Sequence, residues 1–75
     1  MKIDISVDNT GDSNATFIYL TNEDKYAIVE VVEYADSTNV YTTDFDKVFM
    51  KKSFPNVNLA NAYTFEFIKA MITED

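Results

Sequence analysis

The longest unbroken run of strand-forming residues is Tyr26-Ala27-Ile28-Val29-Glu30-Val31-Val32-Glu33-Tyr34. β-Branched and aromatic side chains dominate it, and no Gly, Pro or Asn interrupts it, so it predicts a strand. Strand side chains alternate between faces. Ala27, Val29, Val31 and Glu33 therefore share one face, and Tyr26, Ile28, Glu30, Val32 and Tyr34 share the other. Both faces are largely apolar, so the strand expects cover on both sides, or on one side plus a partner. Before it, residues 2–8 alternate cleanly, with Ile3, Ile5 and Val7 opposed to Lys2, Asp4, Ser6 and Asp8. That pattern is a half-buried strand with one wet face. Residues 15–21 form another strand, Phe17 and Tyr19 on one face and Ile18 and Leu20 on the other. The turn-forming stretches 9–14, 22–25 and 35–39 separate these elements, and 40–43 adds a short fourth strand at an edge.

At Asp44 the pattern changes. Thr43 or Asp44 can cap a helix, and Phe45, Val48 and Phe49 follow at helical spacing. Asp44 and Asp46 at its start and Lys51 and Lys52 at its end suit the helix macrodipole, and Pro55 marks its end. Asn58 then caps a helix from Leu59 to about Thr73, with Leu59, Ala62, Tyr63, Phe67, Ala70 and Met71 as its apolar stripe. Residues 63–68 alternate like a strand, so a terminal strand is the alternative there. The expected fold class is α+β: one small domain over residues 1–75, an antiparallel meander sheet of three to four strands followed by two helices packed on one face.

Charge changes the picture more than size does. Thirteen Asp and Glu stand against six Lys and no Arg, a net charge of −7 on 75 residues. Such a chain repels phosphate backbones, which disfavours direct nucleic-acid binding. It suits either plain solubility or a protein partner with a basic surface. With no Cys and no His, disulfides, thiolate or imidazole metal sites and the commonest general base are all missing. The absence of Cys fits a reducing compartment. No segment has the length of a signal-peptide core or a membrane span, so a soluble, cytoplasmic protein is expected. The oxygen-rich stretch Asp8–Asn14 lacks the register and closing Glu of a calcium loop. Glu30 and Glu33 fall on opposite strand faces, and Asp44 and Asp46 are explained by capping. No cofactor, metal or catalytic set is expected, and the chain reads as a non-enzyme.

Two functional expectations follow. In size, charge and sheet-then-helix order the chain looks like the small acidic α+β proteins with which phages block host defence nucleases, restriction enzymes or CRISPR effectors. Its use of Asn, Lys, Ile and Tyr without Arg or Trp resembles coding from an AT-rich genome, as many phages have. That likeness, carried by no motif, implies an inhibitor that occupies a basic surface as a nucleic-acid mimic. The contact candidates are Asp4, Asp8, Asp12, Glu23, Asp24, Glu30 and Asp36, with Tyr26 and Tyr34 beside them. The alternative is a structural or assembly subunit, most simply a homodimer, that self-associates through the row Tyr26, Ile28, Val32 and Tyr34.

Overall fold

A computed structural model describes residues 1–8 and 14–73. The architecture is α+β: a five-stranded antiparallel meander in the order β1-β2-β3-β4-β5, followed by one C-terminal helix. The strands are β1 (Lys2–Asp8), β2 (Asn14–Asn22), β3 (Lys25–Glu33), β4 (Thr38–Thr43) and β5 (Phe49–Phe54), and the helix is α1 (Val57–Thr73). Residues 26–33 thus belong to the central strand, which pairs with β2 along its length and with β4 from Ile28 to Glu33. Tyr34 lies just beyond it, in the turn to β4. Residues 9–13 of the expected first turn, Asp12 among them, lie outside the described residues.

The expected first helix does not form; its place is taken by a turn and the fifth strand. The reason lies in Asp44. Its Oδ1 accepts from the backbone N–H groups of Asp46 at 2.9 Å and Val48 at 3.0 Å. The Lys47 N–H donates to the Asp44 carbonyl at 2.9 Å, and the Asp44 N–H to the Val48 carbonyl at 3.2 Å. A side-chain oxygen that accepts from nearby amides serves a turn as well as a helix cap. Lys47 takes a left-handed φ of 65°, which ends any helical path. From Phe49 onward the chain pairs with β4, Thr43 opposite Phe49 and Thr38 opposite Phe54. β4 is therefore an inner strand, not the edge its composition implied. Of the three apolar residues assigned to the missing helix, Phe45 packs against the Leu20–Ala27–Met71 cluster. Val48 and Phe49 are exposed.

The second expected helix does form, two residues earlier than its sequence cue. Asn56, not Asn58, is the cap: its Oδ1 accepts from the Leu59 N–H at 3.0 Å. The strand-like stretch 63–68 lies inside the helix. The buried stripe is rotated from the expected one. Ala60, Thr64 and Met71 are buried, with Tyr63, Phe67 and Ile68 packed beside them. Leu59, Ala62 and Ala70 face away and are exposed.

α1 lies over β3, β4 and β5. Its first turns meet Val29, Val31 and Val40 through Ala60, and its last turns meet Leu20 and Ala27 through Met71. The helix therefore crosses the sheet diagonally and covers the Ala27–Val29–Val31 face. Neighbouring residues along the ladders extend that face: Ile18 opposite Val29, Leu20 opposite Ala27, and Val40 opposite Val31. Leu20, Val29 and Val40 are fully buried there. β1 carries the same face outward, with Ile3 opposite Leu20, Ile5 opposite Ile18 and Val7 opposite Thr16. The helix does not reach β1, so Ile3, Ile5 and Val7 stay 46%, 66% and 61% exposed.

Candidate interaction surface

The face of β3 left without a helix carries Tyr26, Ile28, Glu30 and Val32. Register extends it into rows across the whole sheet. One row runs Asp4, Tyr19, Ile28, Thr43, Phe49; the next runs Ser6, Phe17, Glu30, Tyr41, Lys51; the third runs Asp8, Ala15, Val32, Asn39, Ser53. Lys2, Thr21 and Tyr26 form a fourth, shorter row.

Aromatic pairs stand on either side of Ile28 and Glu30 on this face. Phe17 and Tyr19 stack at 6.4 Å between centroids, and Tyr41 and Phe49 at 6.3 Å. Lys51 Nζ sits 5.7 Å from the Tyr41 ring centre, a cation–π contact. Polar side chains tie the far end together: Ser53 Oγ donates to Asn39 Oδ1 at 2.8 Å, and Asn39 Nδ2 to the Tyr41 hydroxyl at 3.4 Å. Val32 is buried without a helix above it, because Ala15 and Asn39 flank it on the neighbouring strands. Tyr19, Tyr26 and Phe49 remain exposed.

Charge is distributed unevenly over the same face. Asp4 and Asp8 stand on β1, about 13 Å apart at the usual strand rise. Glu30 stands two strands away, about 10 Å. Asp4 is 3.8 Å from Lys2 Nζ, with both side chains mostly in solvent, so the pair contributes little. The β5 side carries Lys51. Of the residues singled out from sequence, the fold thus brings Asp4, Asp8, Tyr26 and Glu30 onto one face. Glu23 and Asp24 form the two-residue turn between β2 and β3, at the Tyr26 end. Glu23 takes a left-handed φ of 57°, a conformation that favours glycine. Asp36 and Tyr34 lie in the β3–β4 turn at the opposite end, closed by the Tyr34 N–H donating to the Ser37 carbonyl at 2.8 Å. They are not brought together with Glu23 and Asp24.

Sequence reasoning missed these aromatic pairs. Phe17 and Tyr19 were placed together on one face, but nothing in β2 says which face the helix covers. Tyr41 and Phe49 could join them only once β4 became an inner strand and β5 existed. The row proposed for self-association is split: Tyr26 is exposed, Ile28 is half-buried, Val32 is buried, and Tyr34 leaves the strand.

The described residues enclose no pocket. Among them, no group of three or more His, Cys, Asp or Glu side chains converges where a metal ion could be held. No helix of the described residues is long and apolar enough to cross a membrane. Comparisons with protein-family models, with curated proteins and with solved structures found no match to this chain.

Proposed function

We propose that this chain is a small, acidic, non-enzymatic binding protein that docks its helix-free sheet face onto a basic protein surface. The observation that supports it is the composition of that face. Exposed Tyr19 has Asp4 opposite it and Glu30 diagonal to it. Exposed Tyr26 stands at the same end, and Asp8 adds a further acid on β1. Exposed Phe49 lies on the far edge beside Lys51. Aromatic side chains supply desolvated contact area at protein interfaces, and surrounding acids select a positive partner and speed the encounter. A basic surface of that size is what a nucleic-acid-binding protein presents. In this reading the chain is a phage-encoded inhibitor of a host defence protein, of the anti-CRISPR or anti-restriction kind. It acts in the host cytoplasm by occupying the site where nucleic acid would lie.

The test compares the chain with its Asp4→Asn/Asp8→Asn/Glu30→Gln variant as baits in a host lysate. The expected result is a protein retained by the native face alone, released by moderate salt, whose own nucleic-acid binding is blocked by the chain. Capture that survives the triple substitution and high salt would sink the reading, as would a captured protein that still binds nucleic acid.

A further inference from the structure

The row Ile3, Ile5, Val7 belongs to the opposite side of the sheet from the surface just described, and to its open edge. Among the described residues β1 pairs only with β2, so none of them pairs with the backbone N–H and C=O groups on its other side. Edge strands ordinarily guard such a side with mid-strand charges, bulges or a covering helix. β1 has no helix over it and an apolar row along one face, and its mid-strand charge, Asp4, lies on the other face. One helix flank is apolar as well. Tyr63 leans on Phe54 of β5, with rings 5.4 Å apart. Phe65 and Ile72 lie about 200° and 180° around the helix from Tyr63, on the flank away from β5. Both are exposed, at 65% and 46%.

We propose that β1 pairs with β1 of a second copy of this chain, antiparallel about a two-fold axis through Ile5, forming a ten-stranded sheet. The charge pattern and the length of the strand together select the register, since centring on Ile3 also opposes Lys2 to Asp4 but engages residues 1–5 alone. Directly opposed residues share a face, so a two-fold pairing with both helices on one side must centre on a residue. Centring on Asp4 sets Asp4 against its own copy. Centring on Ser6 sets Asp4 against Asp8, twice. Like charges directly opposite are unfavourable. Centring on Ile5 sets Lys2 against Asp8 of the second copy, twice, and Asp4 against Ser6. It also sets Ile3 against Val7 and Ile5 against Ile5, and it uses all seven residues of the strand. Each apolar side chain of the row gains a cross-strand neighbour on the side where it now has none. β5 of another copy is a poorer occupant, because Met50, Lys52 and Phe54 face the helix side and set Lys52 among the isoleucines.

The apolar row lies on the opposite face from the proposed partner surface, while the Lys2–Asp8 pairs fall on the β1 margin of that surface; the test itself needs no partner. The chain has no cysteine, so a single introduced thiol reports its own neighbours. Opposed residues in an antiparallel pair lie about 4.5–5.5 Å apart at Cα, within disulfide range. Ile5→Cys should therefore oxidise to a covalent dimer. Ile3→Cys and Val7→Cys should each form no covalent dimer under oxidation alone but cross-link to each other when mixed. Sedimentation of the unmodified chain should show a dimer. Lys2→Asp and Asp8→Lys should each weaken it by roughly tenfold, and the double swap should restore it. Circular dichroism confirms that each variant is folded. A chain that is monomeric at every soluble concentration would overturn the proposal. So would open-ended polymers, or a dimer that cross-links through Phe65→Cys and not through Ile5→Cys.

Discussion

The two edges of the sheet are built on opposite plans. β5 lies under α1, and its mid-strand residues are Lys51 and Lys52, one on each face. Lys51 reaches over the Tyr41 ring, and Lys52 Nζ lies 5.4 Å from the Tyr63 ring centre. Both edge cations are thus held against aromatics while their charges stay wet, and Pro55 follows at once. β1 has neither helix nor mid-strand cation, and its lone Lys2 stands at the strand's end. Charged side chains at an edge discourage pairing with another chain. The comparison teaches that one chain carries two unlike edges, similar in length and both antiparallel, one with helix cover and two mid-strand lysines, the other with no helix and a single mid-strand Asp4.

The largest expected effect lies along one ladder row. Leu20 is 0% exposed and its partner Ile3 is 46% exposed. Leu20→Ala should lower unfolding free energy by about 2–5 kcal/mol, whereas Ile3→Ala should lower it by less than about 1 kcal/mol. Urea midpoints for the two variants measure this step, and equal losses would mean that β1 is packed as well as β2. Next comes a flaw under the covered half: Thr64 Oγ1 is buried with no hydrogen-bond partner among the described residues. Thr64→Val should gain about 1 kcal/mol, because an unsatisfied buried hydroxyl is replaced by a methyl group. Lys52→Ser should lose about 0.5–1 kcal/mol of cation–π contact. Paired with Lys51→Ser it should also raise light scattering by opening the guarded edge. Relief of the left-handed turn residue by Glu23→Gly should add about 0.5 kcal/mol. Smallest of all in stability is Ile5→Lys, within about 0.5 kcal/mol at so exposed a site. It gives β1 the mid-strand cation that β5 has, and should leave a folded monomer by sedimentation.

Much of the sheet was legible because its strands are bounded by turn formers: β1 alternates cleanly, and β2 and β3 are unbroken runs of strand-forming residues. The β1, β2 and β3 spans follow directly from that pattern. β5 was illegible for a physical reason: Phe49-Met50-Lys51-Lys52-Ser53-Phe54 does not alternate in polarity. Phe49, Lys51 and Ser53 share one face, and Met50, Lys52 and Phe54 the other. An edge strand with aromatics for its lysines to cover needs no alternation. The Asp44 cap signal misled because turn and helix start share the same oxygen-to-amide chemistry. The helix was recognised from its length and composition, but its stripe was misplaced by one position. The run offers apolar residues almost all round, and Thr64, a polar residue, took a buried place. For the candidate surface, alternation alone put Asp4 with Asp8 and Tyr26 with Glu30. Assembling them with Phe17, Tyr19 and Tyr41 required the register.

The strands are neighbours in the sheet in the order in which they occur in the chain. Every pairing therefore closes a short loop, so the loop-closure entropy of each step is small. Mean sequence separation between contacting residues stays low for so β-rich a chain. Topology of that kind places refolding toward the fast end of the range for sheet proteins. The longest closure left is the return of α1 to Leu20 and Ala27, which completes the core only after the hairpins beneath it exist.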